Sequence, residues 1–413
     1  MNHFNAKNGA LWAEGVPLSR IARDVGTPTY VYSSATLNRH LGVVQSAFAA
    51  LSSLVCYSVK ACSTLAVLNL FARRGAGFDI VSAGELGRVR AAGGDVKKVV
   101  FSGVGKREDE LEAALKAGIL MFNVESAEEL ALLNRVGLRL GRRAPFSLRV
   151  NPEVDAGTHR HIATGLSTSK FGVPFDEAVE LYRASRRMKG LLARGLDFHI
   201  GSQILKAKPF SRAVAKVVDL YRTLRADGLP LTHLDIGGGL GVRYTDESPP
   251  SLEEYSRLVR TPLESLGATV ILEPGRVLVA NAGVLLTSVL YRKRSPARRF
   301  VVVDAAMNDL IRPALYEAYH DIQPVKPRSG PRSTVEVVGP VCESSDVLGA
   351  ARSLPRLEPG DLLAVMTAGA YGMSMASNYN SRPRPAEVLV DGGRFRVVRR
   401  REALEDLWRG ETR

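Results

Sequence analysis

Val55-Cys56-Tyr57-Ser58-Val59-Lys60, Phe78-Asp79-Ile80-Val81 and Val99-Val100-Phe101-Ser102 are three short apolar runs, each with a polar residue near its C-terminal end. Between them lie stretches of helical periodicity. Residues 82–92, for example, open on Ser82 and end at Gly93, as capped helices do. The same alternation continues through Met121-Phe122-Asn123-Val124, Ser147-Leu148-Arg149-Val150, Asp197-Phe198-His199-Ile200, Leu234-Asp235-Ile236-Gly237 and Val270-Ile271-Leu272-Glu273. Eight such runs between residues 53 and 276, with helices expected at 107–117, 126–135 and 210–226, predict a (β/α)8 barrel. A further helix is expected at 33–51. The gap after the fifth run holds Gly157-Thr158-His159 and Ser169-Lys170-Phe171-Gly172 and reads as a long active-site loop.

From residue 284 the pattern changes. Strands are expected at 284–291, 300–304, 334–338, 361–366, 386–390 and 395–398, punctuated by Gly and Pro and without helices between them. That is the signature of an all-β domain. The run Thr29-Tyr30-Val31-Tyr32 is a further strand for it. The expected organisation is therefore an N-terminal segment, 1–32, contributing to the β domain, then a barrel at 33–280 and a C-terminal β domain at 281–413. Residues 324–333 read as a Pro/Arg-rich surface loop.

Composition narrows the function classes. The 413 residues are 45% hydrophobic and 24% charged, as in globular enzymes. Three cysteines, Cys56, Cys62 and Cys342, are too few to staple such a chain and read as reduced thiols of a cytoplasmic protein. The first ten residues are polar and carry no apolar targeting core. The longest apolar stretch, 277–290, is too short to span a bilayer. The net charge of +14 raises the question of nucleic acid, but the basic residues are spread out. The runs Arg292-Lys293-Arg294 and Arg399-Arg400-Arg401 are short and lack any zinc-finger or RNA-binding signature, so no nucleic-acid partner and no membrane association are expected.

Lys60, Asp79, Arg149, His199, Gly237 to Gly239 and Glu273 to Arg276 all fall at or just past a strand end. That is the face where barrels carry their chemistry. A lone strand-end lysine ordinarily snorkels to solvent, and a lone histidine ordinarily makes a structural hydrogen bond. A set spread over six strands of one rim is not explained by packing. Lys60, with burial disfavouring its charge, is a candidate covalent nucleophile. Gly237-Gly238-Gly239 offers backbone amides to a phosphate. Glu273-Pro274-Gly275-Arg276 places a carboxylate and an anion-binding guanidinium within four residues.

Taken together these motifs resemble the alanine-racemase-like, fold-type-III decarboxylases that use pyridoxal 5′-phosphate (PLP), and within them the branch acting on meso-diaminopimelate. The resemblance rests on Tyr57-Ser58-Val59-Lys60-Ala61, on Phe78 to Leu86, on His161-Ile162-Ala163-Thr164-Gly165 and on His199-Ile200-Gly201-Ser202-Gln203. It continues through Arg312-Pro313-Ala314-Leu315-Tyr316, Gly339-Pro340-Val341-Cys342-Glu343-Ser344 and Gly369-Ala370-Tyr371-Gly372, in family order over nearly the whole chain. Cys62, where the family commonly has Asn, and Ser345, where a smaller residue is usual, depart from the pattern.

The resemblance implies a PLP-binding barrel plus a C-terminal β domain, and removal of one carboxylate from diaminopimelate to give L-lysine and CO2. Lys60 would bind the cofactor's aldehyde covalently, His199 would stack on its ring and Glu273 would sit at its ring nitrogen. Asp79, Ser202, Gly238, Gly239, Gly275, Arg276 and Tyr371 would complete the cofactor site. Cys342 would be the proton donor. Arg276, Arg312, Tyr316, Glu343 and Tyr371 would bind substrate. No metal is implied. Cys342 and Glu343 would come from a partner subunit, which implies a homodimer with shared sites. Related decarboxylases for carboxynorspermidine or a carrier-bound amino acid share most of these residues. A racemase would need a different group where Glu273 stands, and a non-catalytic homologue would tend to lose Lys60 or Cys342.

Overall fold

The computed structural model describes residues 2–155, 157 and 169–412, and it divides into two compact units. One comprises residues 41–242 and 248–277; the other comprises 1–40, 243–247 and 278–413.

The first unit is a closed parallel barrel. Its strands are β1 (Ser53–Ser58), β2 (Gly77–Ile80), β3 (Val99–Phe101), β4 (Met121–Val124), β5 (Ala144–Arg149), β6 (Leu191–Asp197), β7 (His233–Asp235) and β8 (Thr269–Leu272). Each pairs with its successor, and β8 closes on β1 through Val270–Ser53, Ile271–Leu54 and Leu272–Val55. Inside, Cys56, Val100, Met121 and Ile271 form an apolar plug. Ser82 and Ser126 cap helices expected there, and Ser251 caps a further one: each accepts a hydrogen bond from the amide of the glutamate three residues on, which satisfies an otherwise orphaned helix N–H. The helix at Ala127–Arg139 runs past the expected end at 135, and the helix at Ser34–Ala47 stops short of 51.

Several strands end before their apolar runs do. β1 stops at Ser58, and Lys60 rides on a single 3-10 turn, Val59–Ala61. His199 sits two residues beyond the end of β6.

A buried cation ties the loop after β3 to β4. Lys106 Nζ donates to the carbonyls of Gly103 and Asn123 and pairs with Glu129, each at 2.7 Å. Both side chains are almost wholly buried. Burial pushes the Glu129 carboxyl up, and the Lys106 ammonium opposes that rise.

The second unit is a mostly antiparallel β structure. Its long strand Gly283–Arg294 pairs with Thr29–Ser33, Leu362–Val365 and Arg299–Val303. Thr29–Ser33 in turn pairs in parallel with Ala386–Asp391. Two features were not read from the sequence. Residues near the N-terminus form a small antiparallel sheet, Phe4–Lys7, Ala10–Ala13 and Val16–Pro17, whose Phe4, Leu11 and Val16 join Val31, Val284 and Val388 in one core. A nine-residue strand, Val347–Pro355, pairs with Arg332–Val338 across two register shifts. The loop at 326–331 is exposed, and Arg328 pairs with Asp361. Among the described residues no helix is long and apolar enough to cross a membrane.

Removing the Lys106 ammonium strands a buried carboxylate. Lys106→Met is expected to destabilise the barrel by about 3–5 kcal/mol, and Lys106→Met/Glu129→Leu to recover most of that. The urea midpoints of the three proteins check it.

Candidate active site

A closed parallel barrel puts every strand C-terminus on one rim, and here that rim is polar. Asp79, Asn123, Ser147, Arg149, Asp197, Asp235 and Glu273, from β2, β4, β5, β6, β7 and the end of β8, are all buried. Lys60 Nζ lies 2.6 Å from Asp79 Oδ2, which also accepts from Ser58 Oγ at 2.8 Å. The Lys60 side chain is 40% exposed and the Asp79 side chain is fully buried. The lysine is thus held by a carboxylate at an open rim, whereas the sequence had suggested an amine discharged by burial. Asp79 Oδ1 is buried without a hydrogen-bond partner, which leaves an acceptor next to the lysine.

On the neighbouring strands the triple glycine turns tightly. A Cβ on Gly238 would stand 2.1 Å from the Glu273 carbonyl oxygen, and one on Gly239, whose φ is +104°, would stand 2.3 Å from that of Gly201. Only glycine fits either position. The Gly238 amide donates to His199 Nδ1 at 3.2 Å, which leaves the ring's proton on Nε2. Burial first, then the charges of Arg149 and Lys60, push His199 well below its ordinary range and keep it neutral. Arg276 Nη2 donates to Ser202 Oγ at 3.0 Å, and Gly275 beside it is buried. Asp79, Lys60, His199, Ser202, Gly238, Gly239, Glu273, Gly275 and Arg276 thereby occupy one contiguous arc of the barrel, β6-β7-β8-β1-β2.

Glu273 is pushed up to about 7, by burial first and then by Asp79, with Lys60, Arg149 and Asp235 pulling it back. It accepts from Ser102 Oγ at 3.2 Å and from Asn123 Nδ2 at 3.3 Å. Asp197 and Asp235 were not singled out in the sequence, although each ends an apolar run. Their carboxylates and that of Glu273 offer oxygens within 4.8 Å of one another. Burial, then Glu273, drives both aspartates well up. Acids this close and dry share protons instead of bearing three charges.

The remaining candidates belong to the β unit. Arg312 opens a short helix, Arg312–Tyr316, and is buried, with Tyr316 half-buried. Cys342 and Glu343 lie on an exposed loop that Asp346 braces by accepting from the amides of Val341 and Met307. The Cys342 amide donates to Asn380 Oδ1 at 2.8 Å, and Tyr379 Oη donates to Glu343 at 3.0 Å. Tyr371 has a φ of +56°, a conformation uncommon outside glycine. His161 to Gly165 and Thr158-His159 lie outside the described residues.

Residues 34–280 match the family model described as the pyridoxal binding domain of pyridoxal-dependent decarboxylases. The diaminopimelate decarboxylase of Vibrio cholerae is 53% identical over 100% of this chain and 99% of its own length. The chain belongs to the diaminopimelate decarboxylase family. The solved family member from Helicobacter pylori, complexed with L-lysine, is 44% identical with a TM-score of 0.92 over 95% of this chain and 98% of its own. The diaminopimelate decarboxylase of M. jannaschii, also solved with L-lysine, is 35% identical with a TM-score of 0.95 over 100% of this chain and 99% of its own. The rim fits the family's cofactor: an amine for an aldehyde, a carboxylate for a ring nitrogen, an imidazole for a ring face, and a glycine turn with Arg276 and Ser202 for a phosphate.

The raised Glu273 makes a pH prediction for the cofactor-free chain. Between its ordinary value of 4.5 and about 7, the folded chain holds a proton that the unfolded chain has released. Stability therefore falls as pH rises through that window, by up to about 1.4 kcal/mol per pH unit. Glu273→Gln cannot ionise. Urea unfolding should show wild type losing stability relative to the variant as pH rises from about 5 to about 7; a constant difference would contradict the burial of this charge.

Proposed function

We propose that this chain decarboxylates meso-2,6-diaminopimelate to L-lysine and CO2, the last step of lysine biosynthesis, using PLP. The observation that carries the reading is the arc of Lys60, Asp79, His199, the glycine turn, Glu273 and Arg276 on one rim of a barrel belonging to this family.

Bound PLP supplies an electron-accepting ring that lets the bond between Cα and the departing carboxylate break. The chain's residues do the rest. Lys60 would hold the cofactor's aldehyde. Asp79 keeps the Lys60 ammonium on the rim. Glu273 would hold a proton at the ring nitrogen, and that cation would in turn favour the ionised carboxylate that burial opposes. His199, neutral, would offer its ring to a face of the cofactor. Ser202, Gly238, Gly239, Gly275 and Arg276 would hold the phosphate, with Tyr371 a further candidate for that end. Cys342 delivers the proton that replaces CO2 on Cα, so the reaction takes up one proton for each CO2 lost.

The substrate's far end is itself a zwitterion. Arg276 and Arg312 suit its carboxylate, Glu343 its ammonium, and Tyr316 and Tyr371 offer hydroxyls. Lysine and ornithine lack the distal carboxylate, so a buried Arg312 would disfavour them.

The assembly follows from the same residues. Cys342 and Glu343 are exposed on a single chain, which suits a homodimer in which each loop completes the partner's site. All three cysteines are free, which suits the cytoplasm.

Incubation with meso-diaminopimelate and PLP should yield lysine. Lys60→Ala should abolish turnover and the yellow of the bound cofactor, and Cys342→Ala should keep the colour and slow turnover by roughly 100-fold or more. Mixing those two inactive variants tests the shared site. Exchanged dimers hold one intact site, so about a quarter of wild-type activity should return. Lysine formation by Cys342→Ala at the wild-type rate would remove the proton-donor role.

A further inference from the structure

Arg312 is the cation on which the preference for a distal carboxylate depends, and within the β unit its guanidinium meets His320 and Tyr244. Arg312 Nη1 lies 2.8 Å from His320 Nε2. The Tyr244 ring faces the guanidinium, with its centroid 4.7 Å from Cζ. Tyr244 also meets the His320 ring edge-on at 5.5 Å, so the three side chains form one packed cluster. His320 is fully buried, and its other nitrogen, Nδ1, lies 2.9 Å from the Met366 carbonyl oxygen.

Those two contacts determine the state of the imidazole. A carbonyl oxygen only accepts, so Nδ1 carries the hydrogen. A guanidinium only donates, so Nε2 is bare and accepts. His320 is therefore neutral in a single tautomer, clamped between a main-chain oxygen and a cation. Protonation would remove the acceptor and set two cations in contact. An arginine side chain has many rotamers, and its planar fork recognises a carboxylate only when the plane is correctly set. One N–H directed at His320 and one face closed by Tyr244 together fix that plane.

We propose that His320 is a positioning residue for substrate selection: through its neutral Nε2 it orients the Arg312 guanidinium toward the distal carboxylate, with Tyr244 as the backing plate. This rests on Arg312 binding that carboxylate. His320 touches no reacting atom, so its contribution belongs to substrate capture and not to bond cleavage. The identity of the residue follows from the geometry. The position needs an acceptor toward Arg312 and a donor toward Met366 on one short, rigid side chain. Glutamine can supply both; phenylalanine fills the space and supplies neither.

The test uses the PLP-loaded enzyme and meso-diaminopimelate. His320→Phe should raise KM by roughly 10- to 100-fold, the span expected for a lost hydrogen bond to a charged group, with kcat within about threefold of wild type. His320→Gln should restore KM to within about threefold. In an Arg312→Ala background, which itself raises KM, His320→Phe should add nothing. Cofactor absorbance and thermal unfolding of each variant show that the fold is kept. An Arg312→Ala enzyme with unchanged KM would sink the role of Arg312 itself. Raised KM in Arg312→Ala with unchanged KM in His320→Phe, additive effects in the double variant, or a fall in kcat and cofactor content without a KM change would overturn the positioning role of His320.

Discussion

Neighbouring strands of a closed parallel barrel must deliver their C-terminal residues to the same rim, and that constraint sets the Lys60 ammonium 2.6 Å from the Asp79 carboxylate. Almost everything chemical in this chain depends on the pair. Lysine alone at a strand end is flexible and finds solvent. Tied to a carboxylate that is itself rooted in the barrel through Ser58, it stays on the rim, exposed enough to react. The unpartnered second oxygen of Asp79 keeps acceptor capacity at the same spot. The remaining groups are then brought into range by going round the barrel: two strands one way to Gly238 and Glu273, and one further to His199.

The barrel's interior tolerates this polarity because it is layered. Cys56, Val100, Met121 and Ile271 close the space beneath with apolar surface. Above them the acids are embedded in donors, with Asn123 bridging toward both Asp235 and Glu273 while Ser147 donates to its amide oxygen at 2.6 Å. Arg149 and Glu125 form a further buried pair. A network like this stabilises little by itself, since desolvation offsets most of its attraction. What it supplies is a defined charge distribution where, in the proposed function, a cationic ring nitrogen would be held.

How much of this could be read from the residues depends on how local the signal was. Strand-end lysine, histidine, glycine and glutamate each stand out against an apolar run, so the barrel and its rim were legible together. Asp197 and Asp235 were quoted within such runs yet passed over, because a single aspartate at a strand end looks like a turn residue until closure brings three carboxylates together. His320 and Tyr244 carried no signal at all. They lie 76 residues apart in number and meet only in the folded β unit. The strand Val347–Pro355 escaped notice for a physical reason: its bulged pairing breaks the alternation of buried and exposed residues on which strand recognition depends.

The division of labour between the two units is consistent with this. In the proposed function the barrel's groups would serve any amino acid bound through PLP. The β unit carries Arg312, Tyr316 and Glu343, which would distinguish one amino acid from another, and Cys342, which would finish the reaction. The most direct measurement of the central claim is to reduce the holoenzyme with borohydride, digest it and locate the cofactor by mass spectrometry. The account predicts a phosphopyridoxyl group on the peptide containing Lys60 and on no other lysine. Label on a different lysine, or none at all, would contradict it.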